Sequence, residues 1–85
     1  MPYRYEPEIL AALAGLGIAP TEQTPPERAR ELANDLYRYE LRRLRDRLRR
    51  REIEKSGYAA QVVALRRKYW VLSVPVTAWA ARDAI

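Results

Sequence analysis

Eighty-five residues make one domain, enough for a modest core yet few enough that the helices must pack well, or find a partner, to be stable. The chain has neither cysteine nor histidine, which excludes disulfides, thiol nucleophiles and zinc sites of the usual ligand sets, removes the commonest general base, and suits the reducing cytoplasm. Net charge is +5 but unevenly spread: residues 1–40 carry four arginines against seven carboxylates, net −3, and residues 41–85 carry twelve cations against four, net +8.

Such asymmetry points to an anionic partner or to a self-complementary surface. Arginine outnumbers lysine 14 to 2. With abundant alanine, that ratio is also what a GC-rich coding sequence produces, so the arginine content alone argues little.

In chain order, the apolar run Ile9 to Ala19 follows Glu6 and Glu8 with Arg4 as the one cation before it. A secretory leader would carry net positive charge there, so mature structure is expected. A first helix is predicted over about 7–16, with Pro7 at its first position, Ile9, Leu10, Leu13 and Leu16 on one face, and Gly15 or Gly17 to close it. Ile18-Ala19-Pro20 then forbids continuation.

Thr24-Pro25-Pro26-Glu27 is the clearest local signal. Thr24 is placed to cap, Pro25 to stand where no amide is needed, and Glu27 to reach back in a capping box. From there nothing breaks a helix over about 25–51, roughly 40 Å long at about 1.5 Å per residue. Its apolar stripe is Ala29, Ala33, Tyr37, Leu41, Leu44 and Leu48, joined by Leu32 and Leu36 at the front. After Tyr37 the stripe takes alternating steps of four and three, the seam of a coiled-coil-like packing. A third helix over about 54–70 repeats that spacing with Tyr58, Val62, Leu65, Tyr69 and Leu72. Two consecutive seams predict an antiparallel hairpin with its corner between Arg51 and Gly57. Because the third helix is shorter than the second, part of the long helix needs the first helix, the tail or another subunit as cover.

Near the end, Ser73 is placed to cap a last helix over about 75–82 carrying Val76 and Trp79. A strand over Tyr69 to Val76 is disfavoured, since Pro75 would cut its ladder and no second strand pattern offers a partner. The expected fold class is therefore all-α: one helical domain, residues 1–85, with a long Arg-rich central helix in an antiparallel hairpin and short helices at both ends.

The chemistry-bearing features are few. Arg38, Arg42, Arg43, Arg45, Arg47, Arg49, Arg50 and Arg51 crowd the end of the long helix, against Glu40 and Asp46 alone. They are candidate contacts for an anion or a partner, because each guanidinium offers a planar fork matched to phosphate or carboxylate oxygens. The plainer account is a solvated face whose cations the helix macrodipole favours near its C-terminus. No turn-plus-recognition-helix pattern, RNP-like aromatic motif or zinc knuckle accompanies them.

Glu27, Glu31 and Asp35 line the other end of the same helix. A carboxylate metal site would need further ligands from facing helices, so acids favoured at a helix start explain them better. An acidic start and a basic end are complementary to a second copy laid antiparallel, and two-fold dimers are the commonest symmetry. Tyr39, Trp70 and Trp79 lie off or beyond the seams; they are candidate interface aromatics, or equally cap the bottom of the hairpin core.

Ser56 beside Lys55, and Ser73 five residues after Lys68, are the nucleophile-and-base pairs that proximity offers. A Ser-Lys dyad needs a buried lysine, which a short polar connection does not supply. We expect no enzyme, no cofactor, no metal and no small-molecule substrate. No stretch approaches the roughly 20 apolar residues of a spanning helix, and the apolar stripe is too narrow to lie in a membrane interface. The expected function is a helical interaction module that forms a homodimer or docks on another protein, with binding of the nucleic-acid backbone through the arginines as the alternative.

Overall fold

The computed structural model of the protein describes residues 2–82. The elements are β1 (Tyr3–Tyr5), α1 (Pro7–Gly15), α2 (Pro26–Arg49), α3 (Lys55–Lys68), two short 3₁₀ turns (Trp70–Ser73 and Val76–Ala78) and β2 (Ala80–Arg82). The chain is mostly helical with a small two-stranded sheet, so the all-α expectation holds only at the coarse level. Its extents are 56 × 17 × 16 Å, a rod built along α2.

α1 opens on Pro7, whose missing N–H falls where the helix needs none. It closes in a Schellman turn, with Ile18 N–H donating to the Leu13 carbonyl at 2.9 Å and Gly17 N–H to that of Ala14 at 3.0 Å. Gly17 sits at φ 81°, the left-handed conformation this turn requires.

The expected capping box at the start of α2 does not form. Pro25 is the flanking residue and Pro26 the first helical one. The Thr24 amide already donates to the Thr21 carbonyl at 3.0 Å, so Glu27 has nothing to reach back to. Thr24 Oγ1 instead accepts from the Thr21 amide at 3.0 Å.

The front half of α2 presents Ala29 and Ala33, both fully buried, to a core made with Tyr5, Ile9, Leu13, Ile18, Val71 and Trp79. Two small side chains leave α2 a shallow surface, and Trp79 and Leu13 are among the largest fully buried side chains of this core. The indole Nε1 donates to the Val74 carbonyl at 3.0 Å, so burial leaves no polar atom without a partner. Of the two readings of Trp79, the partner-facing one does not hold: Trp79 is fully buried at the centre of the head, the end of the molecule where α1 and the tail meet the front half of α2.

The predicted last helix over 75–82 is corrected too. Ser73 Oγ donates to the Trp70 carbonyl at 2.6 Å rather than capping the residues after it. Only Val76–Ala78 makes a helical turn, after which Ala80–Arg82 extends and pairs antiparallel with Tyr3–Tyr5, in the register Tyr3 with Arg82 and Tyr5 with Ala80. The reason is cover. An extended Tyr3–Tyr5 segment exposes unpaired backbone groups, and the tail satisfies them on one side while Glu6 N–H donates to the Trp79 carbonyl at 2.9 Å. On the other side Tyr3 N–H reaches the Glu22 carbonyl at 2.7 Å and the Tyr5 hydroxyl reaches that of Thr24 at 2.6 Å. Arg30 adds donors to the carbonyls of Leu72 and Val74, both at 3.4 Å.

The second half of α2 is covered by α3 alone. Lys68 bonds both carboxylate oxygens of Glu40 at 3.2 Å, and Arg47 bonds Gln61 at 3.5 Å, so α3 runs back along α2. Leu44 and Leu65 are buried between them. α3 ends at Lys68, two residues before its expected end.

The corner is a second Schellman turn. Glu52 N–H donates to the Arg47 carbonyl at 2.9 Å and Arg51 N–H to that of Leu48 at 3.0 Å, with Arg51 at φ 60° where glycine is usual. The Glu52 carboxylate pairs with Arg50 at 3.5 Å and with Arg47 at 3.8 Å, tying the turn down with charge. A left-handed L-residue costs about 1–2 kcal/mol, and glycine returns part of that as extra chain entropy lost on folding. Arg51→Gly is therefore expected to raise unfolding stability by up to about 1 kcal/mol in urea titrations, with Arg51→Ala giving none of that gain.

Candidate interaction surface

The face of α2 opposite its covered side is a single line of charges. Glu27, Glu31, Asp35, Arg38, Arg42, Arg45 and Arg49 succeed one another at steps of three and four residues, and all seven are exposed. Helical geometry puts such a series on one side, turned away from Ala29, Ala33, Tyr37 and Leu44. Among the described residues, Arg38, Arg42, Arg45 and Arg49 have no ion-pair, hydrogen-bond or ring partner. Glu31 pairs with Arg28 at 3.2 Å, both side chains about two-thirds exposed, a contact worth little in water.

The structure does not bring all eight candidate arginines to one surface. Arg43 lies over the Tyr39 ring, 5.8 Å from its centre. Arg47 and Arg50 are engaged by Glu52, and Arg51 forms the corner. The four on the open line remain available. Among the described residues, no group of three or more carboxylates converges as a metal site would need.

Beside the charged line runs an apolar one, two of whose members, Leu32 and Leu36, the sequence pattern assigns to the covered stripe. Leu32, Leu36 and Tyr39 are 39, 37 and 54 % exposed. The signal that separates them is angular: each stands roughly 60–140° around the helix from the centre of the buried face, given about 100° per residue. Leu32 and Leu36 form one wall of an apolar groove of about 460 Å³, whose other wall is Gly17–Pro20. Asp35 stands at its edge.

Trp70, 42 % exposed, is on a different part of the surface. With Tyr37, Val63, Arg66, Arg67, Tyr69 and Leu72 it lines a second groove of about 550 Å³ where α3 meets the tail. Of the three candidate aromatics, Tyr39 and Trp70 are thus open and on separate patches, while Trp79 is buried.

The joint between head and paired helices is polar and tight. The Tyr69 hydroxyl donates to Glu40, Lys68 flanks the Tyr69 ring at 5.7 Å, and the Tyr37 and Tyr69 rings meet at 5.2 Å, tilted by 50°. Burial first, then the hydrogen bond to the Glu40 carboxylate and its charge, hold the Tyr69 hydroxyl well above its ordinary pKa. Tyr5 is raised as well, by burial and then by the charges of Glu27 and Tyr3.

Among the described residues no helix is long and apolar enough to cross a membrane. Comparison with protein-family models, with curated proteins and with solved structures finds no match to this chain.

The Tyr69 pairing has a pH signature. A group whose folded pKa lies above its unfolded value of 10.0 stabilises the fold fully below that value and ceases to as pH rises beyond it. Stability measured by urea unfolding should be flat through neutral pH and fall progressively as pH rises above 10.0. Tyr69→Phe is expected to lose about 1–3 kcal/mol at neutral pH and to show a shallower alkaline fall.

Proposed function

We propose that the chain is a small protein-interaction module in which an antiparallel hairpin of α2 and α3 presents the open face of α2 to a second copy of itself. One observation carries this reading: that face is acidic at its start and basic at its end, and among the described residues its four arginines are unpaired. A second α2 laid antiparallel sets Glu31 opposite Arg42, Asp35 opposite Arg38 and Glu27 opposite Arg45. The position numbers of these pairs add to 72 or 73, so one crossing point near residues 36–37 satisfies all three, and two-fold symmetry repeats each pair. A parallel arrangement sets acid against acid.

Magnitudes assign the parts. Exposed ion pairs contribute about 0–1 kcal/mol each, so the charges select orientation and register. Affinity must come from apolar burial, and the exposed Leu32, Leu36 and Tyr39 lie beside the charged line to supply it. A second reading draws on the same arginines. Four guanidinium groups along a rod, free of carboxylates, also suit the phosphate backbone of a nucleic acid.

The dimer is tested by light scattering after size exclusion. Glu31→Arg or Arg42→Glu alone should raise the dimer Kd about tenfold or more, while the two together restore it, because each then meets the other across the two-fold axis. A wild-type chain that stays monomeric at high micromolar concentration would remove the reading. The nucleic-acid reading instead requires affinity for a generic duplex that falls linearly with salt on logarithmic axes, with a slope that flattens in Arg42→Gln and Arg45→Gln. No binding at low ionic strength eliminates it.

A further inference from the structure

Tyr39 is the most exposed of the large hydrophobic side chains among the described residues, at 54 %. Among those residues its hydroxyl has no hydrogen-bond partner, and its ring meets one group, the Arg43 guanidinium. A ring that is rigid, amphipathic and open to water is the usual anchor of an interface rather than of a core. Three residues before it on the same helix, the groove between α2 and the Gly17–Pro20 loop offers apolar walls with the Asp35 carboxylate at the edge. Asp35 is itself exposed and has no partner among the described residues. What suits this groove is an aromatic ring with a donor at its tip and cations around it. Tyr39, between Arg38 and Arg42 and beneath Arg43, is such a group in the chain itself.

The register that matches the charges brings the two together. With paired positions adding to about 73, Tyr39 of the second copy stands level with residues 34–35 of the first. The two-fold axis of an antiparallel helix pair is perpendicular to both helices, so the same flank of each helix meets on the same side. The Leu32, Leu36 and Tyr39 flank of one copy thus faces that flank of the other. Resting on the self-association reading above, we propose that this groove is the seat for the Tyr39 side chain of a second copy of the chain, its ring against Leu32, Leu36 and Ile18 and its hydroxyl donating to Asp35. Two such latches form per dimer. They bury apolar surface at the crossing point, which the charged line cannot do.

The test uses the full chain and its dimer Kd, from sedimentation or dilution series. Tyr39→Ala removes an exposed side chain and is expected to leave far-UV circular dichroism and thermal unfolding of the monomer unchanged while raising Kd about tenfold or more. Tyr39→Phe, which keeps the ring, is expected to raise it a few-fold; no change there overturns the bond to Asp35. Within one copy Tyr39 and Leu32 are seven residues apart on the helix, about 10 Å, so coupling between them reports contact across the dimer. The Tyr39→Ala, Leu32→Ala double variant should fall about threefold or more short of the product of the single effects. A wild-type dimer that Tyr39→Ala leaves intact, or strictly multiplicative effects, overturns the latch and leaves self-association standing. A wild-type chain that never dimerises overturns both.

Discussion

The length of α2 is the constraint on which the rest of this structure depends. Twenty-four unbroken helical residues span roughly 36 Å at about 1.5 Å per residue, and no other described element, the 14-residue α3 included, is long enough to cover all of it. The cover comes in two pieces with different chemistry. Over the front half lie the two chain ends, α1 and the tail, forming a core around Trp79. Over the back half lies α3 alone, joined through Leu44, Leu65 and the Tyr69–Glu40–Lys68 cluster. The opposite side of α2 is left open along its whole length.

Ala29 and Ala33 decide where the head can form. Their small side chains let the turn around Val76–Ala78 lie against α2, and Trp79 fills the space with its indole bonded to Val74. That placement draws the last described residues alongside Tyr3–Tyr5. The two strands are three residues each, too short to be stable on their own, and they hold because loop carbonyls at Glu22 and Thr24 engage the other side of β1. The sheet is a product of the core rather than a source of it.

The open face of α2 carries an ordered set of exposed charges. A helix that only followed its macrodipole would carry acids at its start and cations at its end, with the charges free to scatter around the exposed circumference. Here seven of the thirteen charged residues of α2 fall on one line opposite the covered side, and an apolar line runs beside them. Cations without partners repel one another, and a carboxylate or phosphate array of matching spacing relieves that repulsion. The proposed self-association and the alternative of polyanion binding would draw on the same arginines, so each would compete with the other.

Much of the helical content could be read from residue spacing alone. Pro7, the pair Pro25-Pro26 and the alternating seams of Tyr37 to Leu48 and Tyr58 to Tyr69 place three helices within a residue or two of where they lie, because backbone sterics and apolar periodicity act locally. The arginine line is equally a property of the sequence, since helical geometry alone puts those residues on one side. What the sequence did not determine lies where short apolar segments can satisfy their backbone in more than one way. Ser73 to Arg82 carries no period long enough to choose between helix and strand, and the choice is made by Trp79 finding the shallow surface at Ala29 and Ala33 and by β1 needing a neighbour. Leu32 and Leu36 likewise sit close enough to the seam to pass for core, and they are left exposed because the cover arrives over Ala29, Ala33 and Leu44 instead. Local sterics wrote the helices; the tertiary structure alone decided which of their apolar side chains were left without cover, because burial depends on what arrives from elsewhere in the chain.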